Sequence, residues 1–193
     1  EIELDPPEIL YKYLGVIHHI SRGPDNILTW DAEMIDYCTL ACREFAAESK
    51  HGFKPCDSPY LSDLSDAASA QDDDTVGVYS GSCAHDLMKL LYAARMCRLD
   101  AITAITRLAG RIAKWSINCD KRLSKLFDYL HTHLTKALKS SIGPQDRDRV
   151  EIHCWPDADL AGDKNVNSKS TSGRFIALVG LNGRTAALHW AGP

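Results

Sequence analysis

The chain opens with a pattern that predicts a strand and then a helix. Residues 9 to 20, ILYKYLGVIHHI, are rich in β-branched and aromatic residues, which favours a strand that ends at the polar residues 21 to 26. Asp31 can then cap a helix that runs to about residue 48. Its buried side is predicted from residues on or near one helical face, namely Met34, Tyr37, Cys38, Leu40, Ala41 and Phe45.

Three more helices are predicted in the middle of the chain. Ser82 can cap the first, which runs to about Arg98, and Asp100 can cap the second, with Ile102 and Ile105 on its buried side. The third covers about residues 119 to 139 and has the clearest helical period. Its apolar stripe consists of Leu123, Leu126, Phe127, Leu130, Leu134 and Leu138.

The last part of the chain changes to strand-like runs at residues 149 to 155, 172 to 180 and 184 to 190. Antiparallel strands need no crossover connection, so these runs predict an antiparallel meander. Residues 175 to 179 are apolar at both alternating sets of positions, so both faces of this strand need cover. We expect the helices to cover one face and a partner to cover the other, with contacts in residues 175 to 190.

Residues 62 to 82, SDLSDAASAQDDDTVGVYSGS, are polar and acidic and show no period, which predicts a flexible connection. Charge is distributed unevenly along the chain. Residues 86 to 139 hold 11 Lys and Arg against four Asp, a net +7 in a chain of net −4, so the other residues carry −11. A basic helical block is compatible with a polyanionic partner, and also with an ordinary solvated helix face.

Cysteine and histidine give no clear site. Seven cysteines at irregular spacing favour free thiols in a reducing intracellular compartment over a disulfide framework. The pairs Cys38 and Cys42, His18 and His19, and His131 and His133 lack the tight knuckle of a zinc site. We therefore interpret them as core cysteines and surface histidines.

Three aspartates are a better candidate for a metal site. Asp157 and Asp159 point to the same face if they lie on a strand, so that two carboxylates could approach one divalent cation, and Asp163 follows closely. The alternative is that they are ordinary turn residues. No apolar run approaches the length of about 20 residues that a membrane span needs. A chain that starts at Glu1 is expected to be a processed product or a fragment, which leaves room for a removed targeting segment.

Several motifs together resemble one family. DADLAGD at residues 157 to 163, followed by KSTSG and FIALVG, is similar to the opening of the ribonuclease H domain in copia-type LTR retrotransposon Pol polyproteins. Upstream, and in the family's order, LLYAARMCRLDAI, KLFDYLHTHL, YKYLGVIHHI and KPCDSP resemble further family segments. Two positions depart from the family pattern: Leu160 occupies the position of a family Trp, and Leu99 occupies the position of a family Pro.

The resemblance implies an α+β chain in which a helical thumb- or connection-like block precedes an incomplete ribonuclease H-like antiparallel meander. Residues 1–61 would be the end of the reverse-transcriptase palm, 62–82 the connection, 83–145 the basic thumb-like block and 146–193 the first strands of ribonuclease H. The basic block would then follow a template-primer backbone. Its expected phosphate contacts are Arg107, Arg111, Lys114, Lys121, Arg122 and Lys125.

The resemblance also implies Mg²⁺, held by four carboxylates of which only the first, Asp157, falls within residues 1–193, with Asp159 beside it. We expect no metal to bind and this chain alone to be non-catalytic. Two hypotheses remain. The chain is a fragment of a reverse transcriptase/ribonuclease H polyprotein that binds an RNA/DNA hybrid, or a truncated retroelement copy that serves as a structural subunit of a protein assembly. An independent enzyme of another class comes third.

Overall fold

The computed structural model describes residues 8–61, 75–159 and 171–191. These residues form four α-helices, seven strands and short 3₁₀ turns, so the predicted α+β class is confirmed. The helices are α1 Ile35–Ser49, α2 Cys83–Met96, α3 Ile102–Ala109 and α4 Ile117–Thr132. The strands are β1 Lys12–Tyr13, β2 Val16–Arg22, β3 Leu28–Glu33, β4 Leu138–Ile142, β5 Glu151–Asp159, β6 Thr171–Val179 and β7 Thr185–Ala191.

The strands form two antiparallel sheets. The first has the order β1-β2-β3-β4, and the second is the meander β5-β6-β7 that the sequence predicted. Strand β4 pairs with β3, with Leu28 opposite Ile142 and Ala32 opposite Leu138. The predicted regions 1–61 and 83–145 therefore contribute strands to one sheet.

The helices enclose the larger of two apolar cores. Phe45 of α1 stacks on Phe127 of α4, with ring centroids 4.0 Å apart and planes 4° from parallel. Leu87 of α2 and Ile105 of α3 are fully buried in the same cluster. The apolar stripes that predicted these helices thus meet around a common centre, where burial of each large side chain contributes about 1.5–3 kcal/mol.

The first helix begins later than its sequence predicted. Asp31 caps nothing, because it lies in β3 opposite His19. The helix starts at Ile35, whose N–H donates to the Glu33 carboxylate at 2.6 Å. Residues 28 to 33 pair with β2 on one side and β4 on the other, and this pairing outweighs the local capping signal.

The other predicted helix boundaries and caps also differ from the structure. The third predicted helix stops at Thr132 rather than residue 139, because Leu138 starts β4. Asp100 lies inside a 3₁₀ turn, Leu99–Ala101, and its carboxylate binds other side chains instead of capping α3. Ser82 does precede α2, but its hydroxyl makes no capping bond to the helix backbone.

The predicted flexible connection lies mostly outside the described residues, which resume at Thr75. Its last part is ordered: Val76 forms a β-bridge with Ser116, and Val78–Gly81 forms a 3₁₀ turn. Residues 75 to 82 are thus fastened to the start of α4 and are not a flexible connection.

The second sheet is attached to the rest of the fold through Trp190 and Asp146, which lies in a short 3₁₀ turn after β4. The Trp190 indole N–H donates to the Ala94 carbonyl at 2.8 Å, and its ring packs on the helical core. Asp146 is fully buried against Gly180, where an added Cβ would lie 2.5 Å from the Asp146 Cγ atom. Only glycine permits this approach.

A buried ionic cluster ties these parts together. Arg98, which is 1% exposed, donates two 3.0 Å hydrogen bonds to the Asp100 carboxylate. The Tyr129 hydroxyl of α4 donates to the same carboxylate at 2.7 Å, and the Lys136 ammonium donates to Tyr129 at 2.8 Å. Burial alone would raise the pKa of Asp100, but the hydrogen bonds and charge of Arg98 outweigh it and lower this pKa.

We predict that Asp100→Asn destabilises the protein by about 3 kcal/mol near neutral pH, because it leaves the Arg98 guanidinium buried without a counter-charge. Tyr129→Phe, which removes one hydrogen bond, should cost only about 1 kcal/mol. Since the pKa of Asp100 is lowered on folding, its stabilisation is present above the unfolded-state value of about 3.9 and is lost as the pH falls through the folded-state pKa.

Urea unfolding of both variants at several pH values measures this effect. The gap between wild type and Asp100→Asn should narrow in acid. A gap that stays constant from neutral pH into acid would show that the cluster does not stabilise the fold through its charge.

Candidate functional site

One face of α4 lines a cavity in the described part of the chain. The cavity has a volume of about 790 Å³ and lies between α4, the end of α1, the start of α2 and parts of the segments before and after the 62–74 gap. The α4 residues repeat at three- and four-residue spacing, which places them in one stripe. They are Ile117, Asp120, Lys121, Ser124, Lys125 and Asp128.

The two aspartates of this stripe hold the opposite walls in place. Asp120 accepts hydrogen bonds from the Val78 N–H at 2.6 Å, the Tyr79 N–H at 3.1 Å and the Trp115 indole N–H at 2.7 Å. Asp128 lies 2.8 Å from His51 Nε2 and accepts from the Lys54 N–H at 3.0 Å. Both carboxylates thus satisfy donors of the protein itself, as buried polar groups must.

Three lysines stand beside these carboxylates. Lys121 and Lys125 are one helical turn apart on α4, and Lys54 belongs to the segment that follows α1. Within the described ranges, the ammonium groups of Lys54 and Lys125 make no ion pair or hydrogen bond. Glu48, Asp86, Asp120 and Asp128 line the same cavity, so its wall carries charges of both signs.

Asp86 is the exceptional acidic group of the cavity. It is 2% exposed, and its Oδ2 atom has no hydrogen-bond partner among the described residues. Burial raises the pKa of Asp86, and the nearby Glu48 carboxylate raises it further, although a hydrogen bond from Ser82 acts in the opposite direction.

The six predicted phosphate contacts fall into two places. Lys121 and Lys125 line the cavity, and Arg122 is half-buried on α4 beside them. Arg107 is exposed in the last turn of α3, Lys114 is exposed in the next 3₁₀ turn, and half-buried Arg111 lies between them. None of these last three residues lines the cavity. Residues 101 to 119 contain no Asp or Glu, so this second place is uniformly basic.

The predicted metal ligands do not form a site within the described residues. Asp157 is exposed on β5 opposite Gly173, and the backbone of Asp159 pairs with Thr171. Asp163 and the side chain of Asp159 lie outside the described part. No group of three or more His, Cys, Asp or Glu able to hold a metal ion occurs in 8–61, 75–159 and 171–191. Asp157 alone does not supply the set of carboxylates that the Mg²⁺ site implied by the resemblance needs.

The cysteines are unpaired, as predicted. Six of them are buried and only Cys154 is exposed. Burial, and then the neighbouring Cys38 thiol, raise the pKa of Cys42 and Cys97 to about 12, which keeps these thiols protonated and inert. No described helix is both long enough and apolar enough to cross a membrane.

Sequence reasoning missed Lys54, Asp86 and His51 as neighbours of the α4 stripe. They come from segments far away in the chain, and only the folded structure brings them together. Comparison with known proteins adds no identification: no family model, no curated protein and no solved structure matches the chain.

We predict that the purified chain does not cleave an RNA/DNA hybrid above background with Mg²⁺ or Mn²⁺, because Asp157 has no described carboxylate partner to help hold two metals. Asp157→Asn should leave this background unchanged and should shift stability by less than about 0.5 kcal/mol, as exposed substitutions usually do. Gel analysis of a labelled hybrid measures the cleavage, and thermal unfolding measures the change in stability. Cleavage that Asp157→Asn abolishes would contradict the prediction.

Proposed function

We propose that the chain is a nucleic-acid-binding fragment of a copia-type reverse transcriptase/ribonuclease H polyprotein, without a complete active site. The observation that carries this proposal is the basic, acid-free surface around α3. Arg107 and Lys114 are exposed there, and the 101–119 stretch supplies no carboxylate to neutralise them. Such a surface is suited to phosphate groups and carries no base specificity of its own.

The fold holds this surface rigidly. Ile105 and Leu108 of α3 are buried in the helical core, so Arg107 is directed away from that core. Trp115, the residue after Lys114, is also buried, and its indole N–H is bonded to Asp120. A basic surface anchored at both ends loses little conformational freedom when it meets a phosphate backbone.

The resemblance to ribonuclease H receives more limited support. An antiparallel meander stands where the family's first strands would be, and it begins with the strand that carries Asp157. A meander of this kind occurs in many folds, so the motifs given above carry the family assignment. In this proposal the polymerase and nuclease centres belong to other parts of the polyprotein.

A second candidate function is that of a structural subunit, and a separate observation favours it. The second sheet exposes large apolar side chains: Ile152 is 71% exposed, Leu188 52% and Trp155 44%. Strand β5 is an edge strand of this sheet. Exposed apolar side chains beside an open edge are typical of surfaces that pack against another protein.

Under the first proposal, Arg107→Glu combined with Lys114→Glu should remove most of the binding to an RNA/DNA hybrid. The wild type should bind at about 50 mM salt, and its affinity should fall steeply as salt increases. Each lost phosphate contact should lower the slope of log affinity against log salt by about 0.9. Fluorescence anisotropy with a labelled hybrid measures both quantities.

The matched control is Arg147→Glu combined with Arg149→Glu. These residues are also exposed, and the change in charge is the same. If the control pair weakens binding as much as the α3 pair, the effect reflects net charge alone and the proposed surface is wrong. Absence of binding by the wild type at low salt would favour the structural subunit.

Under the second candidate, the isolated chain should self-associate or aggregate through the meander. Ile152→Glu with Leu188→Glu should shift it toward monomer, because charged side chains oppose burial of this sheet. Thr185→Glu, at an exposed polar position of β7, is the control and should change little. Sedimentation velocity gives the masses. A wild-type chain that is monodisperse and monomeric, with amides 175 to 179 protected from hydrogen exchange, would contradict this candidate.

A further inference from the structure

A histidine and a tryptophan are joined across two strands of the first sheet. The Trp30 indole N–H of β3 donates to His18 Nδ1 of β2 at 2.9 Å, and the two ring centroids lie 5.6 Å apart. An indole N–H can only donate, so Nδ1 must be the unprotonated ring nitrogen that accepts. The contact therefore requires a neutral imidazole that carries its proton on Nε2.

The surroundings of His18 oppose the binding of a second proton to this ring. Its Nε2 atom is buried and has no hydrogen-bond partner among the described residues. Burial, and then the neighbouring imidazole of His19, lower the pKa of His18. Both effects disfavour the charged form of the ring.

The acidic side chains of the first sheet lie on its other face. His18 pairs with Ala32, which pairs with Leu138, so these three residues share one face. Side chains alternate along strands, so the charged or titratable residues next to these positions project from the opposite face. They are His19, Asp31, Glu33 and Lys139. On that face His19 Nε2 lies 3.6 Å from Glu33 Oε1, and Lys139 Nζ lies 3.9 Å from Asp31 Oδ2.

Two further residues beside His18 also provide no negative charge. Arg22 shares the face of His18, but it lies further along β2 and donates to the Asn26 carbonyl at 3.4 Å. Tyr11 lies just before β1, where its carbonyl accepts from the His18 backbone N–H at 2.8 Å. The described neighbours of His18 therefore supply no carboxylate that would stabilise an imidazolium.

Trp30 connects His18 to the helices. It packs against the second apolar cluster, in which Val16 and Ala32 of the sheet meet Cys38 of α1 and Ala93 of α2. The titratable groups in and beside this cluster remain neutral near neutral pH, because burial raises the pKa of each of them. They are Tyr37, Cys38 and Cys97. Arg98, which follows this cluster in the chain, is paired with Asp100.

We propose that the hydrogen bond between Trp30 and His18 is a pH-sensitive fastening between the first sheet and the helices. A proton that binds to His18 occupies Nδ1, converts the acceptor into a second donor and breaks the bond to the indole. Trp30 then loses the partner that fixes its ring against the second apolar cluster. This device goes beyond the proposed function, because it involves neither the basic α3 surface nor the meander.

The pH range of the effect follows from the direction of the shift. Since the pKa of His18 is lowered on folding, the contribution of its neutral ring is complete above the unfolded-state value of about 6.5. This contribution is lost as the pH falls from that value through the lower folded-state pKa. The pKa of Asp100 is lowered from an ordinary value of about 3.9, so the carboxylate cluster titrates in a separate, more acidic range.

An NMR titration of the imidazole and indole signals of the full chain tests the proposal. At neutral pH the ring nitrogen shifts of His18 should show the Nε2–H tautomer. The Trp30 indole N–H signal should shift with the same midpoint as the His18 ring, at a pH below about 6.5. Comparison with His18→Asn and Trp30→Phe identifies the two sets of signals, and sequential assignment of the wild type does so if either variant fails to fold.

Trp30→Phe should raise the pKa of His18 toward about 6.5, because the neutral ring loses its hydrogen-bond donor. Trp155→Phe is the matched control, since it removes an indole whose ring lies 5.5 Å from that of His153. It should leave the titration of His18 unchanged. Any of three results would overturn the proposal: an Nδ1–H tautomer of His18 at neutral pH, a pKa of His18 at or above about 6.5, or a Trp30 indole signal that does not follow the His18 titration.

Discussion

A buried guanidinium is the constraint on which much of this structure depends. Arg98 lies just after the end of α2, and removing its charge from water would be very costly without Asp100. Asp100 also binds Tyr129 from α4, and Tyr129 binds Lys136 on the way to β4. One buried ion pair therefore connects the end of α2, helix α4 and the approach to the first sheet.

The sequence predicted those elements whose signals are local. The apolar stripe of α4 and the strand-like runs of the meander each carry their own period, and both formed nearly as expected. The errors at Asp31 and Leu138 have one cause. Asp31 lies in β3 and Leu138 in β4, and these two strands pair with each other although the whole helical block separates them in the chain. No local pattern shows such pairing.

Only part of the candidate site could be predicted from the sequence, for the same reason. Lys121 and Lys125 could be found from the basic character of their helix, since their spacing alone places them on one face. Lys54 and Asp86 could not be found, because their importance depends on burial and on neighbours from distant segments. Sequence also could not show that Asp120 and Asp128 accept hydrogen bonds from backbone donors of the opposite walls.

The pairing of β3 with β4 has a consequence for biosynthesis. Strand β3 is made early, but Leu28 pairs with Ile142, which leaves the ribosome only after all four helices have been translated. Until then β3 has one open edge and must remain unpaired on that side. Domains tend to fold as units during synthesis, and long-range strand pairing is slow. The nascent N-terminal hairpin thus exposes an unpaired strand edge until β4 has been synthesised.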